Sequence, residues 1–222
     1  MIDAAAYGDA WAPIYDEVHA HLDPTPAVDV LAELAGTGKA LELGVGTGRI
    51  AIPLAARGVD VHGIEASHAM IDRLRAKPGG SSVTVTIGDF TDVAVEGSFT
   101  VVYVVASTLY GLLVQTAQVA CVRNAAARLA PDGVFVFEGF VPDPARFTTD
   151  RADHPRHDPV HQRVTSQRVV GTHQLAVEVR YIWPSELDLM VQLADLRLRE
   201  RWGDWHRSPY TGSGAHIAIY ER

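Results

Sequence analysis

The chain has 222 residues, 47% of them hydrophobic and 21% charged, which excludes a disordered or membrane-embedded polypeptide and leaves room for one large α/β domain. Its formal net charge of -8 offers no global attraction for phosphate backbones, so nucleic-acid partners are disfavoured. The one cysteine, Cys121, excludes an internal disulfide, and its apolar, alanine-rich surroundings read as those of an inert packed thiol.

No apolar run reaches transmembrane length, and the N-terminus lacks a basic segment followed by an apolar one, so a cytoplasmic protein without a membrane partner is expected. After a polar start marked by Tyr7, Trp11 and Tyr15, a helix is predicted over Ala27–Leu34, stopped by Gly36 and Gly38. Strands at Ala40–Leu43, Val59–Ile64, Val83–Ile87 and Phe99–Val105 then alternate with helices at Ile50–Ala56 and His68–Ala76. A helix over Gln115–Leu129 and a fifth strand at Val134–Phe140 follow. This alternation predicts a doubly wound, mostly parallel Rossmann-like sheet, with ligands at the carboxyl ends of its strands.

The regularity breaks at Pro142-Asp143-Pro144. Residues 145–162 read as a polar loop, and Arg163–Val170 and Gln174–Trp183 as an antiparallel hairpin around Gly171-Thr172. A helix opens at Pro184, and strands at Leu196–Trp202 and His216–Tyr220 complete the sheet, the last antiparallel. The whole chain, 1–222, is expected to form one domain, with 142–183 as an inserted lid that sets substrate specificity. The lid's exposed hairpin edge could pair with another subunit in a homodimer.

The run Leu41-Glu42-Leu43-Gly44-Val45-Gly46-Thr47-Gly48-Arg49 joins a buried strand to a helix through glycines at alternate positions. Such a turn lets backbone approach a ligand without an intervening Cβ. Glu65 ends the next strand, where a ribose lies in folds of this kind. A dinucleotide-binding turn, G-x-G-x-x-G/A, needs its third small residue at position 49, which is Arg49; the third glycine arrives one residue early, at Gly48. That spacing weighs against NAD or FAD.

With this run, four further segments carry a resemblance: Gly63-Ile64-Glu65-Ala66-Ser67-His68-Ala69-Met70, Gly88-Asp89-Phe90, Val101–Tyr110 and Leu129–Phe135. In this order and spacing the chain resembles the class I S-adenosylmethionine-dependent methyltransferases. The resemblance implies a seven-stranded sheet, S-adenosylmethionine as cofactor and S-adenosylhomocysteine as product. It places Glu42, Gly44, Gly46, Gly48 and Arg49 of the first motif around the methionine and ribose parts, with Arg49 either pairing with the methionine carboxylate or simply exposed. Glu65 would hold both ribose hydroxyls, and Gly88 and Asp89 the adenine amine. Phe90, Ala66 and Met70 would flank the ring. Val105, Ala106 and Ser107 would line the methionine side, with Tyr110 beside them, and Tyr15 would close over the cofactor. A cofactor-binding protein without transferase activity is one alternative, and an NAD-dependent oxidoreductase, disfavoured by the glycine spacing, is the other.

Transfer from a sulfonium is governed by positioning and exclusion of water; a hydroxyl acceptor usually needs a base, whereas an amine needs only to be neutral. Glu138, near the end of strand five, and His206, in Trp202-Gly203-Asp204-Trp205-His206, are the candidate bases. Tyr110, Arg180, Tyr181 and Trp183 are candidates for the acceptor wall. His154, His157 and His161 share a proline-interrupted segment without cysteines, which reads as a solvated lid and not a metal site. The expected acceptor is a small molecule methylated at O or N, such as a sugar or secondary metabolite. The Asp/Asn-Pro-Pro-Tyr/Phe tetrapeptide of adenine methyltransferases is absent, with Ser107-Thr108-Leu109-Tyr110 in its place.

Overall fold

The computed structural model describes residues 5–92, 95–143, 156–170 and 173–222. Strand β1 (Lys39–Leu43) is flanked in parallel by β2 (Asp60–Glu65) and β4 (Phe99–Val104), with β3 (Thr84–Ile87) outside β2. On the other side β4 pairs in parallel with β5 (Leu129–Val141). Strand β10 (Gly214–Glu221) then runs antiparallel between β5 and β9 (Arg197–Trp202), closing a seven-stranded sheet of order β3-β2-β1-β4-β5-β10-β9. The strand order reverses between β1 and β4, and at such a point diverging connections leave a crevice at the carboxyl ends.

Side chains alternate across the strands and pack on both faces. Leu41, Leu43, Val102, Phe135 and Phe137 meet α6 (Gln115–Ala127) and α7 (Pro184–Gln192). Ala40, Val61, Tyr103, Val134 and Val136 meet α3 (Thr25–Ala35) and α4 (Ala51–Ala56). Buried Cys121 belongs to the first of these cores, where desolvation pushes its thiol far up, in keeping with an inert thiol. The aromatic-spotted start folds into α1 (Ala6–Trp11) and α2 (Tyr15–His19), with Trp11 and Ile14 packed on Met70 of α5 (His68–Ala76).

Three boundaries differ from the sequence expectation, each for a packing reason. Strand β5 begins at Leu129 because Leu129 pairs with Phe99, and the Gly133 turn lies so close on β4 that a Cβ there would sit 2.8 Å from the Phe99 carbonyl oxygen. The hairpin of β7 (Arg163–Val170) and β8 (His173–Arg180) ends at Arg180 instead of Trp183, since the Arg180 guanidinium is drawn inward to Gln118 and Glu186. The segment expected as a loop contains β6 (Arg156–Asp158), which pairs antiparallel with β7 and makes the lid a three-stranded sheet. No helix among the described residues is long and apolar enough to cross a membrane.

Candidate active site

A cavity of about 1800 Å3 opens at the carboxyl ends of the strands and continues beneath the β7–β8 hairpin. Its floor is the turn after β1. Gly44, Gly46 and Gly48 have φ of 76°, 54° and 79°, which side chains rarely adopt. At Gly44 a Cβ would also meet Thr108 Cγ2 at 2.5 Å. Gly46 turns its N–H onto Glu65 Oε2 at 2.9 Å, while Glu65 Oε1 accepts from the Ser67 N–H at 2.9 Å. A carboxylate has about four acceptor positions, so each Glu65 oxygen keeps one for a ligand hydroxyl. Burial raises the Glu65 pKa, opposed by the backbone N–H groups of Ser67, Gly46 and Ala66.

Gly48 does other work: a Cβ there would reach Ile52 Cδ1 at 2.8 Å and Leu74 Cγ at 3.0 Å, and the residue is buried outside the cavity lining. The third glycine therefore makes room for Ile52 of α4 and Leu74 of α5. The next residue, Arg49, borders a small second cavity behind the turn together with Tyr15 and Glu42. Its buried Nε has no hydrogen-bond partner. Glu42 is buried, accepts a 3.0 Å hydrogen bond from the Tyr103 hydroxyl, and is pushed up to about 8, mainly by desolvation. It is not among the residues that line the large cavity.

At the rim, Asp89 and Phe90 line the cavity, with Asp89 Oδ1 accepting from the Thr91 N–H at 2.8 Å; Ala66 and Met70 also line it. Gly88 lies just outside, its N–H donated to the Glu65 carbonyl at 3.0 Å, so it fixes the β2–β3 ends relative to each other. Ala106 and Ser107 form part of the floor with φ of 53° and 62°, left-handed values that cost a non-glycine residue energy. What holds them is Glu138: its Oε2 accepts the Ala106 N–H at 2.8 Å, and its backbone carbonyl accepts the Ser107 N–H at 3.1 Å. Val105 is buried beneath them and borders only the small cavity.

The roof comes from the N-terminal helices and the hairpin. Tyr7, Trp11, Tyr15 and His19 all line the cavity. Tyr15 and His19 stack at 4.2 Å, and His19 Nδ1 donates to the Tyr15 carbonyl at 2.8 Å. Helix α1 is fastened to α5 at Gly8, where a Cβ would lie 2.4 Å from that of Ser67, and by Ser67 Oγ donating to Asp9 at 2.6 Å. Across the cavity, Val164, Val177, Val179 and Trp183 form an apolar wall.

Three residues expected at the chemistry stand outside the cavity lining. Glu138 does not line the cavity: its other oxygen, Oε1, accepts the Trp205 indole N–H at 2.9 Å, so the side chain clamps the Ala106–Ser107 turn from behind. His206 is exposed in a turn stapled by its own N–H to Asp204 Oδ1 at 2.9 Å, again outside the lining. Tyr110 is fully buried, its hydroxyl 2.8 Å from the Phe140 carbonyl and 3.2 Å from that of Ile182, so it ties β5 to the segment before α7 and touches no ligand space. Arg180 and Tyr181 are likewise buried, and of the proposed acceptor wall only Trp183 reaches the cavity.

His157 meets the Tyr181 hydroxyl at 3.0 Å and His161 pairs with Asp158 at 2.7 Å, while His154 lies outside the described residues. Sequence reasoning missed His19 and Thr108. The first had a readable signal, its i+4 spacing from Tyr15; the second depends on a contact across the fold.

Residues 40–133 match the model of a methyltransferase domain family. Over the full length, the CcbJ methyltransferase of Streptomyces caelestis is 35% identical, with 99% of this chain and 98% of that one covered at a TM-score of 0.88. The cypemycin N-terminal methyltransferase of a Streptomyces species is 26% identical over 99% of this chain and 98% of its own. The glycopeptide N-methyltransferase MtfA, in complex with S-adenosylmethionine, shares the fold at 16% identity and a TM-score of 0.66, over 90% of this chain and 87% of that one. With the glycine turn, the acidic end of β2 and the reversed strand order, these likenesses establish that the chain belongs to the class I S-adenosylmethionine-dependent methyltransferases.

Proposed function

We propose that this enzyme transfers a methyl group from S-adenosylmethionine to a nitrogen of a small organic acceptor held beneath the hairpin. The observation that carries the reading is the continuity of the cavity from Glu65 and the glycine turn to the apolar wall of Val164, Val177, Val179 and Trp183. Two ligands in that space would abut near Ser107 and Thr108.

The residues fit the cofactor. Glu65 would take the ribose hydroxyls on its two remaining acceptor positions, and Asp89 the adenine amine, with Phe90, Ala66 and Met70 about the ring. Gly44, Gly46, Ala106 and Ser107 would pass backbone along the methionine part. Arg49, with its buried unpartnered Nε, would hold the methionine carboxylate, with Tyr15 over it.

The bound cofactor supplies a methyl group already activated by sulfonium charge. What the chain must add is alignment and a dry chamber. The strained Ala106–Ser107 turn and the Glu138 clamp would fix the floor, and the α1–α2 roof would cover the chamber. Neither Glu138 nor His206, the bases expected from the sequence, lines the chamber, and an amine acceptor, neutral when it reacts, needs neither. The relative named for methylation of a cypemycin N-terminus supports the same choice.

The test is methyl-labelled S-adenosylmethionine offered with matched apolar amines and alcohols. Label is expected in the amines alone, and label confined to the alcohols would overturn the nitrogen assignment.

A further inference from the structure

The lid sheet has an open edge along β8, and that edge borders the cavity. In the hairpin the Tyr181 N–H donates to the Gln162 carbonyl at 3.0 Å, which fixes the phase of the β7–β8 ladder. By the register, Val179 and Val177 then exchange hydrogen bonds with Val164 and Ser166, while Arg180, Glu178 and Ala176 turn their N–H and C=O groups away from β7. In keeping with this phase, the Arg180 carbonyl accepts from Gln118 Nε2 at 2.9 Å. Among the described residues, nothing bonds the outward N–H and C=O groups of Glu178 and Ala176.

Residues 176–179 line the cavity without a break. Successive side chains on a strand leave on opposite faces, so one face alone would contribute only every second residue. Val177 and Val179 share their face with Val164 and Ser166, which also line the cavity; Thr165 and Gln167, paired with Glu178 and Ala176, do not. The Glu178 side chain leaves on that other face and pairs with Arg163 at 3.6 Å. Ala176 and Glu178 therefore meet the cavity as the edge of the strand, each with one N–H and one C=O. The two positions stand roughly 6.8 Å apart, the repeat of an extended chain. The open run stops at Arg180, whose carbonyl is taken, beside the Thr108–Gly111 turn.

We infer that the acceptor is a short peptide with a free amino terminus, bound extended as a further strand antiparallel to β8. This rests on the methyl-transfer reading for which end reacts, though the strand pairing belongs to the edge itself. Donors and acceptors at this repeat match an extended peptide backbone, and main-chain pairing of this kind is how sheet edges hold peptides. Antiparallel addition is the pairing that β7 already makes, and it sets the amino terminus at the Glu178 end, toward Thr108 and the Ser107 floor. The opposite direction would set a carboxyl end there. The peptide's second and fourth residues would bond Glu178 and Ala176, and its first and third would turn their side chains onto Val179 and Val177. Space allows it: the cavity encloses about 1800 Å3, against roughly 300–1,000 Å3 for an ordinary small-molecule site. A second copy of the chain fits less well, since two open residues inside a chamber are fewer than the roughly 5–6 of an ordinary strand.

The experiment is calorimetry on the intact protein saturated with S-adenosylhomocysteine. The probes are the tetrapeptide amide Leu-Ala-Leu-Ala and two forms of it, each methylated on one peptide nitrogen. A methyl on the second residue's nitrogen removes the donor to the Glu178 carbonyl and pushes the strands apart, so affinity is expected to fall roughly tenfold or more. A methyl on the third residue's nitrogen points away from β8, and affinity is expected to stay within about twofold. Ala176→Pro removes one outward N–H and leaves the β7 ladder whole; it is expected to weaken the peptide about fivefold, with S-adenosylhomocysteine affinity within about twofold. Equal losses from the two methyl groups, no binding of the unmethylated peptide at millimolar concentration, or an Ala176→Pro variant with unchanged peptide affinity would each overturn the inference. So would a dimer in sedimentation that Ala176→Pro dissolves, which would give the edge to a second copy. Calorimetry with S-adenosylhomocysteine alone separates the two readings. Its failure to bind counts against the cofactor assignment, and the methylated pair titrated without it still reads the edge.

Discussion

Around Gly44 and Glu65 the cavity wall is backbone and short polar side chains at the ends of β1 and β2. Beneath the hairpin it is Val164, Val177, Val179 and Trp183, taken from β7, β8 and the segment before α7. The first half reads its ligand with directed hydrogen bonds from atoms whose positions follow from the strand order. The second offers apolar surface, with few directed groups. A fold can therefore keep one cofactor site fixed while the insert after β5 is free to vary in what it accepts.

The sharpest way to break that contrast is at Glu65. If its two remaining acceptor positions hold ribose hydroxyls, Glu65→Ala removes two charge-assisted hydrogen bonds of roughly 1.5–3 kcal/mol each. It also frees the Gly46 and Ser67 N–H groups. S-adenosylhomocysteine affinity should fall about 100-fold by calorimetry, a loss of roughly 2.7 kcal/mol. Unchanged affinity would remove Glu65 from the cofactor site.

The opposite half predicts the opposite split. Trp183 stands edge-on to Tyr181 at 5.6 Å and faces the chamber. Trp183→Ala should raise the acceptor KM about tenfold, an effect of roughly 1.4 kcal/mol, and leave S-adenosylhomocysteine affinity within twofold. A variant in which both affinities fell together would show that the two halves are one site, not two.

The same division decides what could be read from the chain. The glycine turn, Glu65 and Asp89 are local: each sits at a strand end, and its neighbours in sequence are its neighbours in the site. The sheet was legible for the same reason, since every crossover follows its strand directly. Gly48 was assigned to the cofactor because spacing does not reveal that its missing Cβ makes room for Ile52 and Leu74. Tyr110 and Arg180 were assigned to the acceptor wall because both are polar-tipped residues beside the site in sequence. Their partners, the Phe140 carbonyl and Glu186, consume those tips in the core. Strand β6, Arg-His-Asp, has no apolar residue of its own and pairs along the edge that β7 offers it.

A buried acid behind the turn gives the cofactor half a pH signature. Glu42 ordinarily titrates near 4.5 but is pushed up to about 8 in the fold, by desolvation first, against the Tyr103 hydrogen bond and Arg49. Between those values the folded state keeps a proton that the unfolded chain has released. Its contribution to stability therefore falls as pH rises from about 4.5 to about 8 and is level above that. Glu42→Gln keeps an acceptor for Tyr103 and removes the titration. Urea midpoints should show the variant gaining on the parent between pH 5 and pH 8, and parallel curves would mean that Glu42 is already ionised in the fold.

The smallest expected effect is at Glu138, and it separates holding a floor from doing chemistry. Glu138→Gln retains one carbonyl-type acceptor and loses the other, costing about 1 kcal/mol of stability. The Ala106–Ser107 turn is also held by the Glu138 backbone carbonyl, which the variant keeps, so the floor should survive. Turnover should then fall no more than about threefold, less than 1 kcal/mol in barrier, with its pH profile unmoved. A general base in this position would behave otherwise: its loss costs roughly 10²–10⁴-fold and takes one limb of the profile with it. Both carboxylate oxygens of Glu138 are spent on N–H donors that are not substrate, one from the strained turn and one from Trp205. A proton taken up there would break the clamp that keeps Ala106 and Ser107 left-handed, so the position that best holds the floor is poorly suited to carry a proton.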